Sequence, residues 1–195
     1  MAMMDRATIQ KMGFATVGEN VLLSDRASFF NCSRIAIGNN VRIDDFCVLS
    51  AGAGGIEIGN YIHVAVYSSL IGAGKISLAD FSNLSSRVAI YSSSDDFSGE
   101  WMTNPMVPAE YTGVVHADVT IGRHVIIGTG SVVLPGVVME EGVAVGALSL
   151  VKKSCGAFGI YSGSPAKRIT ERKRNLLEVE KRLLAALGKG SQLPR

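Results

Sequence analysis

Charge is scarce in this 195-residue chain and evenly split. Asp, Glu, Lys and Arg make up 18% of it, 19 cations against 17 anions, for a formal net charge of +2. That balance excludes a partner chosen by bulk electrostatics, nucleic acid above all. Only the last thirty or so residues are locally basic. Proline is limited to five residues, against 22 glycines, a ratio that speaks for many turns and little disorder. Cys32, Cys47 and Cys155 are odd in number and lack metal-type spacing, so neither a disulfide framework nor a cysteine zinc site is expected. They read as reduced, mostly buried thiols of a cytoplasmic protein. Long hydrophobic runs are missing as well. The most apolar stretch, Val125 to Val138, is interrupted by Gly128, Gly130, Ser131, Pro135 and Gly136 and is too short to cross a bilayer. Met1 to Lys11 has no apolar signal core. No membrane insertion is expected.

What is present is an internal repeat. DVTIGRHVIIGTGSVV (118–133) superimposes on VMEEGVAVGALSLV (138–151) at a constant offset of 18. Val125 then matches Val143, Ile127 matches Val145, and Ser131 matches Ser149. In the N-terminal half, ATVGENVLL (15–23), IAIGNNVRI (35–43), IEIGNYIHV (56–64) and ISLADFSNL (76–84) align without gaps. A run of sixes passes through Ile58, Val64, Leu70, Ile76, Ser82 and Val88. A period of six is neither helical nor simple alternation. It suits a coil of three short strands, one inward residue per side, with Gly or Asn at corners that require positive φ. One coil cannot bury its own apolar face, so several must stack. Hexapeptide coils of this kind resemble the left-handed parallel β-helix, so the expected fold is all-β, of that class, with about six rungs over 15–169. Residues 1–14 form an N-terminal cap.

Residues 91–117 break the period. YSSSDDFSGEWMTNPMVPAEYTGVVHA contains the single Trp and should leave the prism as an arm, since long insertions in compact domains are usually functional. YSGSPAKRI (161–169) reads as a turn. Thr170 to Leu187 reads as an amphipathic α-helix with Leu176, Val179, Leu183 and Leu187 on one face, within a tail of 170–195. Residues 188–195 read as disordered.

The repeats, arm and tail together resemble the hexapeptide-repeat acyltransferases, in the galactoside and maltose O-acetyltransferase branch. Within it the chain is similar to bacterial O- and N-acetyltransferases of surface-polysaccharide pathways, perosamine N-acetyltransferases among them. The resemblance spans about residues 15–170, carried by IGRHVIIGTGSVVLPGV followed by YSGSPAKRI. It implies a homotrimer with each active site between two prisms, acetyl-CoA as co-substrate and a small-molecule sugar as acceptor. By position, Thr129 and Ala147 would meet the pantetheine, and Lys153 and Lys167 the CoA phosphates, with Lys152 and Arg168 nearby.

Direct acetyl transfer needs an oriented acceptor, a base for its proton and donors for the oxyanion. The resemblance puts a His at the start of the arm; Asp95 stands there instead. A free Asp titrates near about 4, a poor base for a hydroxyl. Either His116, at the other end of the arm, reaches the same cleft, or the acceptor is an amine that a carboxylate can orient. His63, on a repeat strand, is the third candidate. Asp96, Tyr91 and Trp101 are candidates for binding the acceptor, although Asp96 could simply cap a turn. Two other classes compete. One is a zinc enzyme like the γ-class carbonic anhydrases, for which His63, His116 and His124 lack the close histidine pair, so no metal is expected. The other is a noncatalytic β-helix scaffold.

Overall fold

The computed structural model describes residues 2–188. Short strands follow one another in threes. Ile35–Ile37, Val41–Ile43 and Val48–Ala51 make one coil; Ile56–Ile58, Ile62–Val64 and Ser69–Gly72 make the next. Corresponding strands of successive coils pair in parallel, so three sheets run the length of the molecule. Their register is that of the repeat. Ile37 lies on Ile58, Ile43 on Val64, and Leu49 on Leu70; farther on, Ile127 lies on Val145 and Val133 on Val151. Val125 and Val143 are both fully buried just ahead of that pairing. Leu23, Ile43, Val64, Leu84 and Ile127, one per coil, are each 0% exposed.

All six expected coils are complete, and a seventh begins beyond them. Cys155 bridges to Met139, and Gly159–Ser162 pairs in parallel with Ala144–Val145. The helix therefore has about seven turns rather than six.

The corners refine the expectation about glycine. Between the first and second sheets, positive φ is held by Asn20, Asn40, Tyr61, Phe81 and His124, at +53° to +61°. Gly18, Gly38 and Gly59, two residues earlier in the first three cases, serve the approach of one coil to the next. A Cβ on Gly18 would lie 2.6 Å from the Gly38 carbonyl oxygen, and one on Gly38 would overlap the Gly59 carbonyl. Between these positions runs a polar ladder. Asn60 Oδ1 accepts from the Asn39 N–H (2.8 Å), and Asp80 Oδ1 from the Asn60 N–H (2.7 Å). Arg123 ends the ladder by donating to Asp80 Oδ2 at 3.2 Å.

Both open ends are covered. Helix α1 (Arg6–Lys11) is N-capped by Asp5, whose carboxylate accepts from the Thr8 N–H at 2.7 Å. It drives Ile9, 1% exposed, into the core, and Arg6 donates to the carbonyls of Val17 and Gly18. At the other end the structure departs from the sequence reading. Residues 161–169 are not a simple turn: Gly159–Ser162 and Lys167–Glu171 form an antiparallel hairpin. The C-terminal helix α2 accordingly starts late and spans Leu176–Gly188. The last coil exposes a row of unpaired backbone groups, and a returning strand satisfies them where another helical turn would not. Helix α2 buries none of its residues; Val179 and Leu184 are 46% and 48% exposed. It is held through Glu180, which accepts from Arg123 and, at 2.8 Å, from His124. The expectation of disorder over 188–195 lies, beyond Gly188, outside the described residues.

Replacing Gly38 with Ala forces a methyl group into the backbone of the next coil. Gly38→Ala should destabilise the protein by about 1–3 kcal/mol, read as a fall in the midpoint of denaturant unfolding.

Candidate active site

The arm leaves the prism after the strand Ala89–Tyr91 and returns at Val119. Its two ends pair with each other: Ser93–Ser94 runs antiparallel to Val115–His116, with Ser93 opposite His116. The two ends of the arm therefore meet at one coil edge. Ser93 Oγ accepts from the Ala73 N–H and bonds His116 Nδ1, both at 2.7 Å. The imidazole of His116 is thereby tied to the coil at the root of the arm, with its residue still exposed.

Asp95 and Asp96 follow directly on that root but differ in role. The Asp96 carboxylate accepts from Ser98 Oγ (2.8 Å) and from the N–H groups of Ser98, Gly99 and Trp101. These bonds, with the Ser98 side chain first, bring its pKa down to about 2. Asp96 thus shapes the turn, leaving little of its oxygens for a ligand. Asp95 is exposed and lines a hollow of about 490 Å³ with Asn104, Pro105, Pro108, Thr112 and Val114. Beyond it the arm presents apolar side chains to solvent, with Phe97 and Met106 about nine-tenths exposed and Trp101 at 51%. Tyr91 is half-buried at the point where the arm departs.

His63 lies elsewhere, on the outer surface of the second sheet, in register with Arg42 and Asn83. Its Nε2 is 2.8 Å from Asp44 Oδ2, while Arg42 Nε donates to Asp44 Oδ1 at 2.7 Å. Asp44 is 5% exposed, the one buried carboxylate among the described residues. Burial pushes its pKa up, but the bonds from Arg42 and His63 outweigh that and hold it below the usual range. A His oriented by a buried carboxylate could not be read from spacing, because Asp44 and His63 sit 19 residues apart on adjacent coils. His124 is engaged structurally, stacked on Phe81 at 5.1 Å and bonded to Glu180. Each histidine therefore has a different partner in a different place. Among the described residues no group of three His, Cys, Asp or Glu could hold a metal ion.

Thr129 and Ala147 are both exposed, on neighbouring coils at the corner between the second and third sheets; the Leu148 N–H donates to the Thr129 carbonyl at 2.9 Å. Lys153 follows the last complete coil, and Lys167 lies on the hairpin opposite Ser162. Both are exposed, and neither has an ion-pair partner among the described residues. Burial pushes the Cys47 and Cys155 thiols up to about 11, so neither is poised as a nucleophile. Among the described residues no helix is long and apolar enough to cross a membrane.

The chain is 59% identical over 180 residues to the dTDP-4-amino-4,6-dideoxy-D-glucose acyltransferase of Escherichia coli, covering 92% of this chain and 94% of that one. It is 31% identical over 120 residues to a putative lipopolysaccharide biosynthesis O-acetyl transferase of E. coli K12, covering 58% and 56%. Among solved structures it is similar to AntD, an N-acyltransferase from Bacillus cereus in complex with dTDP and 3-hydroxybutyryl-CoA. The TM-score there is 0.91 at 45% identity, covering 95% of this chain and 98% of that one. A maltose O-acetyltransferase from Clostridium difficile shares the fold, at TM-score 0.59 and 20% identity, covering 87% and 75%. No family model matches the chain.

The depressed pKa of Asp96 has a definite pH consequence. Its contribution to the turn is fully present above the ordinary carboxylate range and is lost progressively as pH falls from that range through about 2. The side-chain carboxyl carbon of Asp96 should accordingly titrate near 2 by NMR. Asp96→Ala should shift Trp101 emission at neutral pH while leaving the far-ultraviolet circular dichroism of the coil unchanged.

Proposed function

The chain belongs to the hexapeptide-repeat acyltransferases that include its E. coli relative, and from that premise we propose that it transfers an acyl group from acyl-CoA to the amino group of a nucleotide-linked amino sugar. The observation that carries this reading is 59% identity over nearly the full length of both chains. It also favours an amine over a hydroxyl acceptor, in keeping with a carboxylate at the start of the arm. The acyl group need not be acetyl, since the Bacillus cereus neighbour is bound to 3-hydroxybutyryl-CoA.

The reaction runs in a ternary complex. The neutral amine attacks the thioester carbonyl, the nitrogen loses a proton, and the tetrahedral adduct collapses to an amide and the CoA thiolate, which takes up a proton to leave as thiol. In this scheme the pantetheine lies along the exposed backbone at Thr129 and Ala147, and its phosphates meet Lys153 and Lys167, mobile ammonium groups suited to them. Asp95 orients the amine, and His116 at the arm root accepts the proton. His63, held by Asp44, is the candidate that a neighbouring subunit would supply. Tyr91 and Trp101 border the sugar, with Asp96 fixing the turn that carries Asp95. The enzyme works as a homotrimer whose arms cover neighbouring prisms, which accounts for the apolar side chains the arm exposes. Its setting is surface-polysaccharide biosynthesis in the cytoplasm.

Incubation of the protein with acyl-CoA and a panel of nucleotide-linked sugars, with thiol release as readout, tests the reaction; turnover only with hydroxyl acceptors would refute it. Lys153→Glu should raise the KM for acyl-CoA by about tenfold, the order expected for one charge-assisted phosphate contact, while the acceptor KM stays nearly constant. A general base contributes about 10²–10⁴-fold, so His116→Ala or Asp95→Asn should lower kcat by at least tenfold. If both retain activity, the base is neither of them, and His63→Ala becomes the decisive variant.

A further inference from the structure

Both ends of the arm are seated on one loop of the preceding coil, Gly72 to Lys75. On the way out, Ser92 Oγ donates to the Gly74 carbonyl and Ser93 Oγ accepts from the Ala73 N–H, both at 2.7 Å. On the way back, the Ala117 N–H donates to the Ser92 carbonyl at 3.0 Å, and the Val119 N–H to the Lys75 carbonyl at 2.8 Å. Asp118 Oδ1 accepts from the Lys75 N–H, also at 2.8 Å. Ser92 is 0% exposed. The packing is close as well, since a Cβ on Gly74 would stand 2.8 Å from the Ala117 carbonyl oxygen. His116 is the residue just before this seat, so the coil fixes its backbone.

The ring of His116 is fixed through one atom. Its Nδ1 lies 2.7 Å from Ser93 Oγ, and Nε2 has no partner among the described residues. The residue is exposed, so Nδ1 is held against the coil while Nε2 stays open. A hydroxyl oxygen has two lone pairs. At Ser93 the Ala73 N–H takes one, and the other is left for His116.

We propose that Ser93 is the positioning residue for His116. Its oxygen accepts the Nδ1–H of the neutral ring, which leaves the Nε2 lone pair free for the proton of the acceptor amine. A neutral imidazole carries one N–H, and the bond made by one nitrogen sets the state of the other. When Nε2 takes the proton that the amine nitrogen loses, the ring becomes cationic. The Nδ1–H stays on Ser93 Oγ, and that bond gains strength by becoming charge-assisted. Ser93 acts only through His116. Its own anchor is a backbone N–H of the coil, so the ring takes its orientation from a rigid element. This role rests on the reading of His116 as the proton acceptor.

Full-length protein with nitrogen-labelled histidine tests the geometry without substrate. Long-range proton–nitrogen spectra of the neutral ring, with His116 assigned by its absence in His116→Ala, should show the Nδ1–H tautomer. In Ser93→Ala that preference should be lost. In steady-state assays Ser93→Ala should lower kcat about tenfold, a part of the roughly 10²–10⁴-fold that a general base contributes. The KM values for acyl-CoA and for the acceptor should stay within about twofold. Ser93→Thr keeps the hydroxyl and should recover most of kcat. The double variant Ser93→Ala with His116→Ala should be no slower than His116→Ala alone. Circular dichroism checks that each variant is folded. Additive losses in the double variant, or an equal loss in Ser93→Thr, mean that Ser93 supports the arm and not the ring, and overturn the proposal. An Nε2–H tautomer in the wild type overturns it as well. His116→Ala turning over at the wild-type rate overturns the reading of His116 as the base, and the role of Ser93 with it, whatever the tautomer.

Discussion

Each coil of this chain must satisfy its backbone on the coil before it and the coil after it, and the rest of the structure follows from that stacking. Parallel pairing at a spacing of ~4.8 Å places like residues on like, so an apolar residue that faces inward once faces inward in every coil. The corners feel the constraint most. Gly18 and Gly38 have no room for a Cβ against the next coil's carbonyl. Asn39, Asn60 and Asp80 instead use their side-chain oxygens to accept from backbone N–H groups of the preceding rung. Because stacking has no natural end, both termini need covers. Ile9 and Arg6 supply one, and the hairpin of Gly159–Ser162 with Lys167–Glu171 supplies the other.

A stack of this kind is rigid along its length and offers few concave places of its own. Hollows and exposed side chains therefore gather where the period is interrupted or where a corner is left uncovered. The arm is the interruption. Its root is a two-strand clasp between Ser93 and His116, which fixes His116 and Asp95 at one edge while the tip reaches outward. The second corner is the uncovered part, with Phe46 and Tyr67 exposed toward one end and Thr129 and Ala147 toward the other. A neighbouring prism would turn this open edge into a cleft. The same economy explains the buried Asp44. A carboxylate taken out of water is costly unless it is fully bonded, and here both oxygens are engaged, one by Arg42 and one by His63.

What the amino-acid order determined by itself was the periodic part. Offsets of 18, 20 and 21 residues were enough to give the coil, its six complete rungs, the inward columns and the arm between 91 and 117. Stacking repeats an identical environment in every coil, so that environment leaves a repeating mark. The arm's paired ends were legible for the same reason, because the repeat stops and resumes at one edge. Tertiary structure alone decided what depends on contacts between coils or on the ends of the stack. Asp44 against His63, Phe46 against Tyr67 and Glu180 against Arg123 join residues whose separations encode no chemistry of their own. Helix α2 starts at Leu176 rather than Thr170 because the preceding residues are drawn into an edge strand, a demand that exists only once the last coil has formed. For Asp96 the sequence left acceptor binding and turn capping open, and the fold decides for the turn because four donors converge on its carboxylate in the folded arm.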